Sequence, residues 1–111
     1  SGTSGMSANM NGTVHVSIFD GWAVEGTYHG INGFLINENG CNEFVSIDDR
    51  HEQDYQSMMD MLDNELIPMY YNDPHRWAEV MRHAIQTSES YFQSDRMAVE
   101  YFTRLYKPVC L

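Results

Sequence analysis

Apolar residues recur along this chain in two rhythms. Thr13-Val14-His15-Val16-Ser17-Ile18-Phe19 alternates and is rich in β-branched residues, so Val14, Val16 and Ile18 share one face of a predicted strand. Asp20-Gly21 ends it as a turn. Gly30-Ile31-Asn32-Gly33 is another turn, Phe34-Leu35-Ile36 a second short strand, and Asn39-Gly40 closes that. Ahead of both, Met6 to Asn11 predicts a short helix, with Gly12 placed to close it.

Farther on, the rhythm becomes helical. Tyr55, Met58, Met59, Leu62 and Leu66 fall at i, i+3, i+4, i+7 and i+11, one apolar stripe. Asp49 with Glu52 three residues later marks its start. Pro68 is expected to stop it, because its ring removes a donor and disfavours helix before it. Asp73-Pro74 opens the next helix, Asp73 as cap and Pro74 at the first position, with Trp77, Val80, Met81, Ala84 and Ile85 facing inward. Ser94 caps a third helix carrying Met97, Tyr101 and Leu105, and Lys107-Pro108 ends it. These stripes hold most of the methionines and aromatics, so core packing is their expected role. The pattern predicts an α/β unit of two or three short strands followed by three helices, without repeats or linkers.

Composition narrows the function classes. A chain of 111 residues and 12.8 kDa suits one small domain or a piece of a larger one. Its 42% hydrophobic content excludes a disordered tail. Six Lys+Arg against 16 Asp+Glu give a net charge of −10, which argues against nucleic acid or an anionic membrane as partner. Residues 1–74 hold twelve acidic side chains and a single basic one, Arg50, whereas 75–111 hold four acidic and five basic. No apolar run approaches the ~20 residues of a membrane span. Cys41 and Cys110 are too few and too scattered for a disulfide framework or a zinc site, which fits reduced thiols in a cytoplasmic protein.

Candidate chemistry is concentrated at one place. In Ser1-Gly2-Thr3-Ser4-Gly5-Met6, small residues before a helix let backbone N–H groups converge on an anion, and the helix dipole adds to the attraction. It is neither Gly-x-Gly-x-x-Gly nor a P-loop. The same composition occurs in cloning leaders, and pattern alone leaves both readings open. His15, His29, His51, His75 and His83 lack metal-ligand spacing. Asp20, Glu25, Asp48 and Asp49 contain the makings of a carboxylate pair, though such clusters are commonly solvated turns.

Residues 1–12, Ser-Gly-Thr-Ser-Gly-Met-Ser-Ala-Asn-Met-Asn-Gly, resemble the Ser-Gly-Thr-(Ser/Gly)-x-Met-Lys-x-x-x-Asn-Gly signature of the α-glucan (glycogen, starch, maltodextrin) phosphorylases. Ser17-Ile18-Phe19-Asp20-Gly21-Trp22 is similar to the strand and Asp-Gly-Trp turn of the short bacterial members. Val24-Glu25-Gly26, Asn32-Gly33-Phe34 and Leu62-Asp63-Asn64-Glu65-Leu66-Ile67-Pro68-Met69-Tyr70-Tyr71 match later motifs in order. Trp77, Met81, Ile85, Phe92, Arg96-Met97, Glu100-Tyr101 and Leu105-Tyr106 resemble the closing helices, so the likeness runs from residue 1 to about 108.

The resemblance implies that residues 1–111 are the C-terminal part of the second, cofactor-side domain of a Rossmann-like GT-B glycosyltransferase. Its implied chemistry is reversible phosphorolysis of α-1,4-glucans to glucose 1-phosphate, with pyridoxal phosphate as cofactor. The partners would be α-glucan and phosphate or glucose 1-phosphate, and the isolated chain would be inactive. By position, the backbone of Ser1 and Gly2 would hold glucosyl hydroxyls, and Thr3 and Ser4 would meet the cofactor phosphate. The lysine that attaches the cofactor would fall at position 7, where this chain has Ser7, and its one lysine is Lys107. Covalent attachment is therefore in question. The alternative is a diverged GT-B glycosyltransferase or glucan-binding homologue that has lost this lysine. A third class is a stand-alone acidic interaction domain of shared ancestry. Strands deprived of their neighbours would also favour self-association of the chain.

Overall fold

The computed structural model describes residues 2–37 and 46–109. The expected turn at Asn39-Gly40, both cysteines and Ser1 lie outside them. Helix α1 (Thr3–Met10) leads to strand β1 (Val16–Ile18), a short helix α2 (Ala23–Gly26) and strand β2 (Phe34–Ile36). Helix α3 (Ile47–Met61) runs through a π-helical turn, Leu62–Leu66, into α4 (Ile67–Asn72), and α5 (Pro74–Tyr91) follows. Helix α6 (Ser94–Tyr101) runs through a second π-helical turn, Phe102–Tyr106, into α7 (Lys107–Val109). The architecture is α/β, mostly helical.

The two strands are parallel, with Val16 opposite Phe34, Ser17 opposite Leu35 and Ile18 opposite Ile36. Parallel pairing needs a long crossover, which residues 19–33 supply. All three β2 residues are buried. β1 differs from the alternation expected of it. His15 is buried, whereas Val16 and Ile18 are 39% and 49% exposed and only Val14 packs against the core. The side of β1 that carries Val16 and Ile18 is therefore only partly covered by the described residues. β2 is tied to the helices by His29, whose Nδ1 accepts the Leu35 N–H at 3.0 Å. Its proton then lies on Nε2, 3.6 Å from Glu65 Oε2 in the first π turn.

The core consists of Phe34, Ile36, Met61, Leu66, Met69 and Val80, flanked by Val14, Met58, Leu62 and Trp77. Helix α3 starts two residues before Asp49. Its cap is Ser46, whose Oγ accepts the Asp49 N–H at 3.2 Å and donates to Asp49 Oδ2 at 2.8 Å. Of the expected stripe, Leu66 is in the core and Met58 and Leu62 pack against it, whereas Tyr55 is exposed and Met61, outside the stripe, is buried.

Pro68 does not stop the helix. In the π turn the Ile67 N–H reaches back to the Leu62 carbonyl, five residues away. That wider turn gives the proline ring room where it would otherwise strike the carbonyl four residues earlier. Pro108 repeats the arrangement behind Phe102–Tyr106, and the described helix runs to Val109, one residue past Lys107-Pro108.

Helix α5 begins as expected, with Asp73 Oδ1 accepting the Arg76 N–H at 3.1 Å and Pro74 in the first position. Val80 and Ala84 are buried, but Met81 and Ile85 are partly exposed. At α6 the cap position is Gln93, and Ser94 is already helical. Met97, Tyr101 and Leu105 are each more than half exposed, so they are not core residues. With these apolar faces unburied, the radius of gyration is 17.3 Å, against about 13 Å for a compact domain of this length.

Candidate functional site

Helix α1 has an open N-terminal end. Gly2, at its cap, has the left-handed φ of 94°, and an added Cβ would lie 3.0 Å from Trp22 Cβ. Glycine is thus required twice over, for conformation and for space. The first helical hydrogen bond runs from the Met6 N–H to the Gly2 carbonyl at 3.2 Å. The amides of Thr3, Ser4 and Gly5 precede it and have no helical partner. No acidic side chain occupies the first turn. Beside this end is a cleft of about 250 Å³, lined by Gly2, Ser4, Gly5, Ser17, Asp20 and Trp22 among others.

The floor of that cleft is Trp22, only 5% exposed. Its indole lies against Gly5, and against Gly26 so closely that a Cβ there would fall 2.4 Å from Cε2. Phe92 meets the ring edge-on at 5.4 Å between centroids, and His15 lies at 5.7 Å. His15 Nε2 is 3.0 Å from Thr27 Oγ1. Burial pushes the His15 pKa below its ordinary value, which keeps the ring neutral at pH 7. His15 Nδ1, Trp22 Nε1 and both amide atoms of Asn9 are buried without a hydrogen-bond partner among the described residues.

A second cleft, of about 340 Å³, opens where the strands end, lined by Ile18, Phe19, Asp20, Asn37, Arg50 and Asp54 among others. Asp20 lines both clefts. Its Oδ1 accepts the Gly21 N–H at 2.7 Å, which fixes the carboxylate at the turn.

Of the residues singled out in the sequence, Gly2 and Ser4 line the first cleft. Thr3 is exposed at the first position of α1. Ser7 is exposed one turn farther on, and its carbonyl accepts from Asn11 Nδ2 at 2.8 Å. The contribution of Asp20, Trp22 and His15 to this region was not anticipated. The glycines at 2, 5 and 26, all packed against Trp22, were the available signal. Among the described residues no group of His, Cys, Asp or Glu is placed to hold a metal ion, and no helix is long and apolar enough to cross a membrane.

No family model and no solved structure matches the chain. Curated relatives do. A maltodextrin phosphorylase of Thermococcus litoralis is 40% identical over 106 residues, covering 96% of this chain and 12% of that protein. A glycogen phosphorylase of Aquifex aeolicus is 37% identical over 97% of this chain and 16% of its own length. A glycogen phosphorylase of Mycobacterium tuberculosis is 32% identical over 96% of this chain and 13% of its own length. The chain thus spans less than a fifth of the length of these relatives.

Proposed function

The chain belongs to the α-glucan phosphorylase family, and we propose that residues 1–111 form the C-terminal part of the second domain of a GT-B glycosyltransferase. The complete protein would be a cytoplasmic enzyme catalysing reversible phosphorolysis of α-1,4-glucans to glucose 1-phosphate. The observation that carries this reading is 32–40% identity along at least 96% of the chain to proteins named for that activity. The extended shape and the partly covered side of β1 support a segment that packs against further structure.

The family cofactor, pyridoxal phosphate, supplies when bound a phosphate group that relays a proton to the substrate phosphate. The open end of α1 fits the phosphate part of that group. Three amides without helical partners face outward from a glycine-tight turn, and the positive end of the helix favours an anion. The Thr3 and Ser4 hydroxyls stand at the same end, and by the family alignment the backbone of Ser1 and Gly2 would hold glucosyl hydroxyls. The covalent anchor does not fit: Ser7 has no amine, and Lys107 belongs to α7 at the other end of the chain. That departure favours a second reading, a diverged homologue that binds glucan and has lost cofactor attachment.

Catalysis of this kind needs groups on both sides of a cleft. The isolated chain is therefore expected to be inactive. The test is release of glucose 1-phosphate from maltodextrin and phosphate by the full-length protein carrying this segment, supplied with pyridoxal phosphate. Release supports the phosphorylase reading. Glucan binding without release overturns it in favour of the diverged homologue.

A further inference from the structure

We propose that Asn32 and Thr87 are positioning residues for the cofactor phosphate: acting through Gly26 and Trp22, they hold the open end of α1 in place from helix α5. The phosphate as ligand rests on the phosphorylase reading above. The connection from α5 to α1 rests on the geometry of this chain.

Asn32 is 1% exposed and uses its amide in full. Its Oδ1 accepts the Tyr28 N–H at 2.7 Å. Its Nδ2 donates to the Gly26 carbonyl at 2.9 Å and to Thr87 Oγ1 at 3.0 Å. The Tyr28 N–H can only donate and the Gly26 carbonyl can only accept, so these partners fix which way the amide points. Thr87 Oγ1 donates its own proton to the His83 carbonyl at 2.9 Å, so it faces Asn32 as an acceptor. Aspartate has the same shape as asparagine but neither donor.

Asn32 thereby ties the end of α2 to α5, across 55 residues of sequence. Gly26 is the last residue of α2, and its carbonyl lies beyond the helical hydrogen bonds, so Asn32 supplies its partner. Gly26 in turn sets the place of the Trp22 indole, since a Cβ on it would fall 2.4 Å from Cζ2. The opposite edge of the indole, Cε3 and Cζ3, meets Gly5, and Gly2 packs on Trp22 Cβ. The first turn of α1 thus stands on Trp22, and Trp22 stands on a glycine fastened to α5. Phe92, at the end of α5, touches the same ring edge-on. A hydrogen bond weakens steeply when its angle falls below about 120°. The amides of Thr3, Ser4 and Gly5 therefore act together on one anion only if the turn that carries them is held.

The test uses the full-length protein. Thr87→Val removes one hydrogen-bonding oxygen and keeps the side-chain shape, and Thr87→Ser keeps the oxygen. Ser90→Ala is the control: Ser90 Oγ donates to the Gln86 carbonyl at 2.7 Å in the same manner, on exposed α5 surface. Pyridoxal phosphate affinity is measured by equilibrium titration. Trp22 is followed by fluorine NMR of fluorotryptophan-labelled protein, its line assigned with Trp22→Phe. Thr87→Val is expected to weaken cofactor binding roughly fivefold, about the worth of one hydrogen bond, and to shift or broaden the Trp22 line. Thr87→Ser should restore both, and Ser90→Ala should match the parent in both. Equal affinity in Thr87→Val, an unmoved Trp22 line, or a loss that Thr87→Ser does not restore overturns the positioning role and leaves the phosphorylase reading standing. A parent protein that binds no pyridoxal phosphate overturns both.

Discussion

The Trp22 indole packs against Gly26, four residues along the chain, and leaves no room for a methyl group between them. Gly26 is the last residue of α2, where alanine would be favoured by helix propensity by about 1 kcal/mol. Overpacking a rigid indole costs roughly 1–3 kcal/mol, and Trp22 is pinned by Phe92 and by α1 as well. Sterics should win. Gly26→Ala is expected to lower Tm by several degrees and to increase the mobility of the α1 terminus. A thermal melt showing an equal or higher Tm would mean that the indole can move aside.

His15 gives the chain a pH-dependent stability. Its ordinary pKa is 6.5, and burial lowers the folded value. Below about pH 6.5 the unfolded chain therefore binds a proton that the folded chain resists. Stability is lost as pH falls through the interval between the two values and is fully present above it. His15→Gln, which keeps a polar group for Thr27, should flatten the fall in Tm between about pH 7 and pH 5. Thermal melts of both proteins at those two pH values would check it, the other four histidines being common to both.

The sequence disclosed some features of this structure because their causes are local. Gly12 after α1, the Asp73-Pro74 start of α5 and the strand Phe34–Ile36 each follow from a cap, a ring or a short apolar run between turns within a few residues. Pro68 misled for the opposite reason. A proline at the first turn of a helix is well tolerated, and a π turn just before it restores that condition inside a longer helix. Apolar periodicity found α6 but overstated its burial, since a stripe says which face is apolar and nothing about what covers it. The open end of α1 was legible in Gly2-Thr3-Ser4. Trp22 beneath it and the cleft at the strand ends were not, because they depend on which glycine the indole lands on and on how β1 and β2 register.

Ser7 permits a direct test of the family alignment. In the full-length protein, Ser7→Lys should restore an amine on the exposed side of α1, one turn from the open helix end. Incubation with pyridoxal phosphate, borohydride reduction and peptide mass analysis should then show an adduct on the peptide containing residues 6–11. The unsubstituted protein should show none there. An adduct in the parent, or none in the variant, would mean that position 7 is not the counterpart of the anchoring lysine.

Self-association of the isolated chain should follow from the same exposed surfaces. Val16 and Ile18 are exposed on a two-stranded sheet, and Phe102 and Leu105 are exposed at 60% and 51% on the last helical stretch. Exposed β-branched residues at an unprotected strand edge are a template for pairing with another copy. Opposing this is a net charge of −10. Repulsion acts over the Debye length, which shrinks to about 8 Å at physiological ionic strength, whereas apolar burial is not weakened by salt. Association should therefore strengthen as salt rises. Light scattering across a salt series should show a rising mean mass, and Ile18→Glu, which adds charge to the exposed side of β1, should suppress it. A monomer at every ionic strength and at high protein concentration would mean that the chain covers its own strand edge in solution.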